Sequence, residues 1–521
     1  MDERVIDEVK RQCQMLNGKW PKRQMRESGR DESGCARRCE TGREVARYKI
    51  SWSMWRLFTL LTALLTAAAL AQAPQRVSLL VAHGTVITVD PQHRVIEDGA
   101  VAIDGARIAA VGTAAEIAAR YSAAETIDAS GSVVMPGLIN THTHAPMVLF
   151  RGLADDLALM DWLQKYIFPA EAKTVSPEFV RVGTRLAALE MIESGTTTYT
   201  DMYYFEDEIA RVTKAAGLRG VLGETIIRFP VADAKVPAES LARTERFAAE
   251  FAHDDLITPA VAPHAMYTLD PETLKACRAL ADRLHIPVII HLAETEDEVK
   301  TAAEQYHLTP TAFLDSIGFW GPRTIAAHAV HVTPEDIQIL ARRHVGVSHN
   351  PESNMKLASG TAPVTAMRAA GVTVGLGTDG AASNNDLDMF EAMRQAAFLH
   401  KLATKDPRAI PAPVAIEMAT IDGARVLGLD ADIGSLEAGK LADLIVVSMG
   451  SARQTPMYDA QSHIVYVTRG DDVRTTIVNG KLLMRDRKVL TLDEPRVLAD
   501  ARAYAAKVRA AVAPSKTPGD E

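Results

Sequence analysis

The stretch PGLINTHTH, residues 136–144, is an apolar run that ends in two histidines separated by one residue. A run of this kind is typical of a buried strand, and alternate residues of a strand point to the same side. His142 and His144 are therefore predicted to face one point at the carboxyl end of the strand. Two imidazoles that face one point are suited to binding a metal ion.

Seven further runs of this kind follow, separated by amphipathic stretches such as residues 177–194 and 271–284. Each of these two stretches follows a capping residue and begins with proline, which predicts a helix start. The eight runs are GLINTHTH (137–144), GTTTYTDM (195–202), LRGVLGETII (218–227), LITPAVAPH (256–264), IPVIIHLAE (286–294), TIAAHAVH (324–331), VGVSHNP (345–351) and VTVGLGTDG (372–380).

Eight strand–helix units predict a (β/α)8 TIM-type barrel over residues 137–429. An open, doubly wound α/β sheet is the alternative architecture. Such a sheet usually carries a glycine-rich phosphate turn after its first strand, and none is seen in the sequence here. The barrel is therefore the preferred prediction.

Short strand patterns flank this region on both sides. Apolar residues alternate with glycine, aspartate and asparagine turns over residues 77–137, and the pattern returns over residues 442–484. Asn479-Gly480 is a hairpin-turn signal. We predict one composite β-sandwich from residues 74–136 and 430–492, followed by a helix and tail over residues 493–521.

The amino-terminal residues follow a different pattern. Residues 1–53 are rich in charged side chains, which predicts a disordered segment or an extension upstream of a true start at Met54. Residues 54–73 combine Arg56, an uncharged apolar run and an Ala71-Gln72-Ala73 site, the pattern of a secretory signal peptide. The run is short for a membrane span, so no stable span is expected after processing. The protein is expected to be exported or periplasmic if this segment is a signal, and cytoplasmic otherwise.

Charge and cysteine content exclude some classes of function. The formal net charge of −9 over 521 residues offers no general basic surface, so nucleic acid is not expected as a partner. Cys13, Cys35 and Cys39 lie near the amino terminus, and Cys277 stands alone in the body of the chain. Neither a disulfide framework nor a cysteine-ligated metal is therefore predicted for the core.

Polar residues at the carboxyl ends of the strands form the active site of a barrel of this kind. Besides His142 and His144, these positions hold His291 on the fifth predicted strand, His328 on the sixth and Asp379 on the eighth. Four imidazoles and one carboxylate suit zinc, with iron as a close alternative. Surface or packing roles are expected for His285, His307, His344 and His400.

Five motifs resemble the amidohydrolase superfamily: PGLINTHTH (136–144), HLAET (291–295), AAHAVH (326–331), SHNPESNMKLASG (348–360) and GLGTDGAASNN (375–385). They are most similar to its branch of methylthioadenosine and S-adenosylhomocysteine deaminases, triazine hydrolases and guanine deaminases. The similarity runs from about Val77 to Val489. It implies a barrel with a composite β-sandwich, a hydrolase acting on C–N bonds of cyclic amidines, and a group in which homo-oligomers are frequent.

The resemblance also implies a metal site. One divalent metal ion per chain is expected, Zn²⁺ or alternatively Fe²⁺. Binuclear relatives carry a bridging lysine at the end of the fourth strand, where this chain has Pro263-His264-Ala265, so a single ion is expected. The ligands implied are His142, His144, His291 and Asp379.

Three residues receive catalytic roles from the resemblance. The metal would acidify water near neutral pH, and Asp379, besides being a ligand, would accept the proton that water loses. His328 would orient the water. Glu294 would protonate a ring nitrogen and later the departing amine, since a carboxylate beside the reacting water can move protons.

The stretch MDWLQKYIFPAEAK, residues 160–173, resembles deaminases of adenosine analogues. The resemblance assigns Glu171 to the ribose hydroxyls, which a carboxylate accepts well, and His264 to the nucleoside. Trp162 and Phe168 are candidates for apolar walls of this site, and packing within the loop is the alternative for both. Ser383 and Asn384 are expected to shape the loop after Asp379.

Arg228, at the end of the third predicted strand, corresponds to an arginine that binds the homocysteine carboxylate in the family. Members that favour that charged substrate use a second arginine, and neither Arg243 nor Arg246 is in clear register. This departure favours methylthioadenosine or adenosine over S-adenosylhomocysteine.

The expected reaction is hydrolytic deamination of an adenosine-type nucleoside, giving the inosine analogue and ammonia. The substrates considered are 5′-methylthioadenosine, S-adenosylhomocysteine and adenosine. A guanine-type deaminase or triazine-type hydrolase is the alternative enzyme, and Glu171 argues against it because a free base has no ribose. A non-catalytic exported binding protein is the alternative of another class, and Glu294 argues against that one.

Overall fold

The computed structural model describes residues 73–512. The expectations for residues 1–72 and 513–521 lie outside this range. The described strands belong to one sheet of nine strands and one of eight. In chain order the strands are β1 Gln75–Ile87, β2 Val95–Asp104, β3 Arg107–Thr113, β4 Tyr121–Asp128, β5 Ser132–Pro136, β6 Leu138–Thr143, β7 Thr196–Tyr203, β8 Arg219–Ile226, β9 Ile257–Pro263, β10 Val288–Leu292, β11 Thr324–His328, β12 Gly346–His349, β13 Val374–Leu376, β14 Leu444–Ser448, β15 Val473–Val478, β16 Lys481–Arg485 and β17 Lys488–Val489.

The helices lie mainly between the strands of the eight-stranded sheet. A π-helical turn, Leu163–Ile167, joins the second and third α-helices of the list below, and short 3₁₀ turns are found elsewhere. The α-helices are α1 Ala114–Arg120, α2 Leu159–Trp162, α3 Phe168–Thr174, α4 Pro177–Glu193, α5 Glu206–Ala216, α6 Pro237–Glu250, α7 Pro271–Leu284, α8 Glu296–Tyr306, α9 Pro310–Ser316, α10 Pro334–Arg342, α11 Pro351–Lys356, α12 Val364–Ala369, α13 Met389–Thr404, α14 Ala412–Met418, α15 Ile421–Leu427, α16 Ala460–Tyr466 and α17 Glu494–Val512.

The eight-stranded sheet is a parallel barrel in which β6 to β13 follow one another in chain order. Its first and last strands meet where the backbone N–H of Asp379 donates to the carbonyl oxygen of His142 at 3.0 Å. Each of the eight runs identified in the sequence supplies one strand, so the predicted fold class is confirmed. The carboxyl ends of all eight strands consequently surround one mouth.

Helix starts in the barrel follow the predicted capping chemistry. The Ser176 hydroxyl accepts the backbone N–H of Phe179 at 3.2 Å, and proline follows at the first helical position of α4. Asp270 caps α7 in the same way, accepting from the N–H of Thr273 at 2.8 Å. These caps satisfy backbone donors that a helix start leaves unpaired, and they fix where each helix leaves the preceding loop.

The nine-stranded mixed sheet takes β1–β5 from before the barrel and β14–β17 from after it. Strands distant in the sheet share one apolar core, as Val101 of β2, Val446 of β14 and Ile477 of β15 show. Asn479 and Gly480 have φ of 51° and 72°, the left-handed pair that a two-residue hairpin requires, as the sequence predicts. A Cβ on Gly480 would also lie 1.9 Å from a backbone carbonyl oxygen.

A buried ion pair joins the barrel to this sheet. The Arg219 guanidinium donates through Nε to Asp443 Oδ2 at 3.0 Å and through Nη1 to the Asp255 carbonyl oxygen at 2.7 Å. Asp443 Oδ1 also accepts the backbone N–H of Asn479 at 2.6 Å. Both charged side chains are less than a tenth exposed. Each charge therefore depends on the other for compensation in the interior.

Asp443→Ala is expected to lower the free energy of unfolding by about 3–5 kcal/mol, because it leaves the Arg219 charge buried without its partner. Urea unfolding monitored by circular dichroism measures this change. Asp432→Ala is the matched control, since the Arg107–Asp432 pair at 3.2 Å is about half exposed on both sides. That variant should lose no more than about 1 kcal/mol. Equal losses in the two variants would contradict the assignment.

The last helix, α17, covers the outside of the barrel. Tyr504 from this helix lies 3.1 Å from the Ser176 hydroxyl and donates to the Thr174 carbonyl oxygen at 3.2 Å. Over residues 73–512, no helix has the length and apolar character needed to cross a membrane.

Candidate active site

The predicted strand-end side chains meet at the barrel mouth. His142 and Thr143 are the last two residues of β6, and His144 follows them. His291 lies in β10, and His328 is the last residue of β11. The His142 ring centroid lies 4.9 Å from that of His144, 5.0 Å from His291 and 5.5 Å from His328. All four imidazoles are thus gathered around one point, together with Asp379 three residues after β13.

Hydrogen bonds fix the orientation of two of these rings. His144 Nδ1 donates to the carbonyl oxygen of Met202 at 2.7 Å, and His291 Nδ1 donates to that of His264 at 2.8 Å. Both Nε2 atoms are thereby left for a metal ion or a proton, and they lie only 3.4 Å apart. Carbonyl partners of this kind are the usual orienting groups for metal-ligating histidines.

The remaining donor atoms fit a divalent cation. Asp379 Oδ1 lies 3.3 Å from His144 Nε2 and 3.4 Å from His142 Nε2. Asp379 Oδ1 and both ring nitrogens of His142 are buried and have no hydrogen-bond partner among residues 73–512. Buried polar atoms rarely lack a partner, and a cation here would satisfy Asp379 Oδ1 and Nε2 of His142. Ligand atoms close enough for one ion are offered by His142, His144 and Asp379, and also by His142, His291 and His328.

The protonation preferences of the ligands suit metal binding. Burial lowers the pKa of His142 to about 4 and that of His291 well below its usual range, so both rings are neutral at pH 7. Burial opposes charge on Asp379, yet its contacts with His142 and His144 hold the carboxyl pKa well below its usual range. Burial also acts against charge on His144, but Asp379 raises the pKa of that ring to about 9. A metal ion therefore has to displace a proton from His144.

Asp379 is aimed by two hydroxyl groups. Ser353 donates to Asp379 Oδ2 at 2.7 Å and Ser383 donates to the same oxygen at 2.9 Å. The other oxygen, Oδ1, is left facing the histidines. The predicted loop-shaping role of Ser383 thus has a specific form, whereas Ser353 was missed by the sequence interpretation. Asn384 spans the same loop by donating to the Thr378 carbonyl oxygen at 3.0 Å.

Glu294 and His328 lie beside this centre. His328 Nδ1 donates to the amide oxygen of Asn354 at 2.9 Å, so its Nε2 points inward, 3.9 Å from Glu294 Oε2. The Glu298 carboxylate accepts the backbone N–H groups of Ala293 and Glu294, each at 3.0 Å, and holds the loop that carries Glu294. Burial raises the pKa of Glu294. This carboxyl group is therefore suited to carrying a proton.

The backbone is strained at these strand ends. Non-glycine residues adopt left-handed φ values of 46° at Ala293, 74° at His328 and 61° at Asp379. Each such conformation costs on the order of 1–3 kcal/mol and persists only where the surrounding structure imposes it. Two of these residues, His328 and Asp379, are ones to which the family resemblance gives catalytic roles, and Ala293 directly precedes the third, Glu294.

Two connected chambers lie beside the histidines. The inner chamber is bordered by His144, Trp162, Phe168, Glu171, Tyr203 and His264, among others. The outer chamber has a volume of about 210 Å³ and shares Phe168, Glu171 and Tyr204 with the inner one. The other residues that line the outer chamber have apolar side chains: Ala172, Phe229, Pro230, Val231 and Ala232.

Glu171 and His264 both reach the inner chamber. Glu171 is buried, and its Oε1 accepts a hydrogen bond from the Tyr203 hydroxyl at 2.7 Å. Burial raises the pKa of the Glu171 carboxyl to about 7 and lowers that of the His264 ring to about 3. Trp162 and Phe168 border the same chamber, in agreement with their candidate role as walls.

The arginines considered for a charged substituent are placed differently. Arg228 follows β8, is exposed and does not border either chamber. The Arg243 guanidinium lies 3.3 Å from Glu224 and 3.6 Å from Asp233 and also pairs with Asp207. Three carboxylates therefore engage Arg243, so its charge is already compensated within the protein.

Four histidines lie apart from the site, as predicted. His285, His307 and His344 are exposed and follow helices with left-handed φ. His400 is buried on α13, where its Nε2 lies 3.0 Å from that of His349.

Two family models match the chain. One is described as the Amidohydrolase family and matches residues 133–483, which include the whole barrel. The other is described as the Imidazolonepropionase-like composite domain of bacteria and matches residues 99–121, within the nine-stranded sheet.

The chain aligns with similar proteins over nearly the full length of those proteins. The chain is 49% identical over 434 residues to the 5-methylthioadenosine/S-adenosylhomocysteine deaminase of Syntrophobacter fumaroxidans, covering 83% of this chain and 99% of the relative. It is 48% identical over 426 residues to the 5′-deoxyadenosine deaminase of Methanosarcina barkeri, covering 81% and 96%. A crystal structure of an adenosine deaminase from Xanthomonas campestris with bound zinc superposes with a TM-score of 0.83 at 41% identity, covering 84% of this chain and all of that one.

Proposed function

The chain belongs to the amidohydrolase family, and on that premise we propose that it hydrolyses the C6 amino group of an adenosine-type nucleoside. The observation that carries the proposal is the meeting of His142, His144, His291 and Asp379 at one mouth, beside Glu294. The products are the inosine analogue and ammonia. Full retention of these groups argues against a non-catalytic binding protein.

His142, His144, His291 and Asp379 would hold a single divalent ion, with zinc proposed over iron because a relative of known structure carries zinc. When bound, the ion lowers the pKa of water toward neutrality and polarises the group under attack. The fourth strand ends in Pro263-His264 rather than lysine, which supports one ion over two. Elemental analysis is expected to find about one zinc per chain.

The protein's own groups supply the proton transfers. Glu294 gives its proton to a ring nitrogen while the water oxygen bonds to C6, and Asp379 takes the proton that water loses. Glu294 then recovers a proton from the new C6 hydroxyl and passes it to the amine. The C6–N bond breaks, ammonia leaves, and the proton on Asp379 returns to Glu294. His328 keeps the attacking water oriented through its inward Nε2.

The two chambers suggest how the nucleoside lies. With the adenine ring beside Glu294, the ribose hydroxyls would donate to Glu171, and His264 would contact the nucleoside from β9. The 5′ substituent would enter the outer chamber, where the lining offers aromatic and aliphatic contacts. Arg228, outside that lining, is the one candidate from the sequence for a charged 5′ group. We therefore propose that neutral 5′ groups, as in 5′-methylthioadenosine, are preferred over S-adenosylhomocysteine.

A substrate panel tests this function. Metal-loaded protein is mixed with 5′-methylthioadenosine, 5′-deoxyadenosine, adenosine, S-adenosylhomocysteine, guanine and a chlorotriazine, and the ultraviolet absorbance is followed. The highest kcat/KM is expected for nucleosides with a neutral 5′ group. Turnover of guanine or the triazine alone would support the alternative hydrolases and overturn the proposal.

The KM for ribonucleosides is expected to rise about tenfold as the pH falls from about 8 to about 6. The reason is that the Glu171 pKa is near 7 and a protonated carboxyl accepts fewer hydrogen bonds from the ribose. A carboxyl group is protonated below its pKa, so the ribose contacts of Glu171 weaken as the pH falls and not as it rises. Steady-state kinetics at saturating metal measure KM, and Glu171→Ala should flatten the profile. A flat profile in the unaltered enzyme would contradict this role.

We also propose that residues 54–73 act as an export signal and that the protein forms a homo-oligomer. The first proposal rests on the Arg56 and Ala71-Gln72-Ala73 pattern alone. Mass spectrometry of the native protein tests it, because a peptide from residues 1–50 would contradict a start at Met54.

Sedimentation of the purified protein tests the proposal that the protein forms a homo-oligomer.

A further inference from the structure

Tyr203 joins the proposed ribose site to the metal centre. We infer that Tyr203 is a positioning residue that holds Glu171 in place for the ribose diol and thereby favours nucleosides with a 2′,3′-diol over 2′,3′-dideoxynucleosides and free bases. The inference rests on the proposed function, because it concerns the same chamber and the same substrate class. It adds a residue to which neither the sequence motifs nor the family resemblance gave a role.

The contact is direct and buried. The Tyr203 hydroxyl donates to Glu171 Oε1 at 2.7 Å, across 32 residues of sequence, and Tyr203 is 3% exposed. This is the one hydrogen bond to the Glu171 side chain made from within residues 73–512. A carboxylate has about four acceptor positions, so the phenol leaves room for two ribose hydroxyls.

The backbone of Tyr203 is tightly held. Its N–H donates to Glu206 Oε1 at 2.8 Å, and the Glu206 N–H donates in turn to Glu224 Oε2 at 3.1 Å. Arg243 lies 3.3 Å from the other oxygen of Glu224. A side chain whose backbone is held by such a network starts from a fixed position when the substrate binds, which is what a positioning group requires.

Two adjacent residues of β7 therefore serve two parts of the site. The Met202 carbonyl oxygen orients the His144 ring at 2.7 Å, while the next side chain, Tyr203, orients Glu171. The Tyr203 and His144 rings are themselves 6.5 Å apart. The strand thus fixes the distance between the groups that meet the ribose and those that meet C6.

Burial supplies the selectivity. An ionised carboxylate that is removed from water needs hydrogen-bond donors, and Tyr203 provides one of them. A ribose diol provides two more, whereas a dideoxyribose or a free base leaves those acceptor positions empty. We expect at least a tenfold lower kcat/KM for a nucleoside without the diol, the size of one hydrogen bond to a charged group.

Tyr199 offers a matched control. It lies in the same strand, β7, is fully buried and borders neither chamber. Its hydroxyl is hydrogen-bonded to the Thr213 hydroxyl and, within the described range, not to Glu171. Tyr199→Phe removes a buried phenol hydroxyl from the same strand without removing the contact in question.

The experiment compares adenosine with 2′,3′-dideoxyadenosine in the metal-loaded enzyme and its variants. Tyr203→Phe is expected to raise KM for adenosine about tenfold, with kcat within about twofold of the unaltered enzyme. Its effect on the dideoxynucleoside should be less than about twofold. Tyr199→Phe should change the kinetics of neither substrate. The Tyr203 hydroxyl stabilises the ionised Glu171 carboxylate. In Tyr203→Phe, the rise in KM for adenosine at low pH should therefore begin at a higher pH than in the unaltered enzyme.

Equal losses on both nucleosides in Tyr203→Phe would mean a structural role and would overturn the inference. A double variant adds a second test: Tyr203→Phe should cause no further loss in a Glu171→Ala background. If Tyr203→Phe does not fold, the same two nucleosides are compared in the unaltered enzyme. Equal kcat/KM for adenosine and 2′,3′-dideoxyadenosine would then contradict selection by the diol. Absence of turnover with any adenosine-type nucleoside would instead contradict the proposed function itself.

Discussion

Glutamine in place of Glu294 is expected to lower kcat by a factor on the order of 10³, with KM and metal content close to those of the unaltered enzyme. Glutamine has the same shape but cannot give a proton to the ring nitrogen or pass one to the amine. The loop that carries it should be unchanged, because the Glu298 carboxylate holds the backbone N–H of residue 294 and not its side chain. Stopped-flow or steady-state deamination assays measure the loss.

Glu296→Gln is the matched control for this change. Glu296 lies two residues further along, at the first position of α8, and is exposed, so its carboxylate faces solvent and not the metal site. Its substitution should leave kcat within about twofold, as expected of a surface change. A Glu294→Gln enzyme that retains more than about a tenth of kcat would show that another group carries the proton.

Asparagine in place of Asp379 is expected to lower kcat by a factor on the order of 10³ or more and to reduce the bound metal. An amide oxygen is a weaker ligand and cannot accept the proton that water loses. Ser353 and Ser383 would still contact the side chain, so the loss isolates the charge of Oδ1 rather than the shape of the loop. Elemental analysis and kcat are measured on the same preparation.

Asp386→Asn serves as the control for Asp379→Asn. Asp386 lies in the loop that follows β13, and its carboxylate accepts the backbone N–H of Asp388 at 2.9 Å. Its amide should keep that contact, full metal content and nearly full activity. Retention of metal and activity by Asp379→Asn would remove Asp379 from both of its proposed roles.

The barrel and the meeting of the predicted ligands at its mouth could be predicted from sequence because both have local signals. Each barrel strand is a short apolar run, and the proposed ligands stand at the ends of such runs, where the fold requires functional side chains to lie. His142 and His291 could therefore be placed before any coordinates. The Asn479-Gly480 turn was predictable for the same reason, since a two-residue hairpin demands left-handed φ at both positions.

The orienting contacts could not be predicted in this way. Ser353 and Asp379 are 26 residues apart and meet only because β12 and β13 are neighbours in the closed barrel. The groups that orient His144 and His291 are backbone carbonyls, which every residue has and no motif marks. Tyr203 stands at the end of β7, a position that marks functional residues, but its partner Glu171 lies in a helix outside the barrel pattern.

Arg243 illustrates the same limit for charged residues. The sequence places it near the third strand, but not in clear register with the second arginine that binds the substrate carboxylate in the family. Its real partners come from three different segments: Asp207 of α5, Glu224 of β8 and Asp233 of the following loop. Which charges pair is set by the packing of those segments and has no local signature.

The most direct test of the account is a single-turnover reaction of the metal-loaded enzyme with 5′-methylthioadenosine in water enriched in heavy oxygen. Hydrolytic deamination at C6 predicts one ammonia for each nucleoside consumed and one heavy oxygen in the product, as the carbonyl oxygen on C6. The same reaction with Glu294→Gln enzyme should give almost no product in the same time. Ammonia-free cleavage, an unlabelled product, or no reaction at all with metal-loaded enzyme would contradict the account.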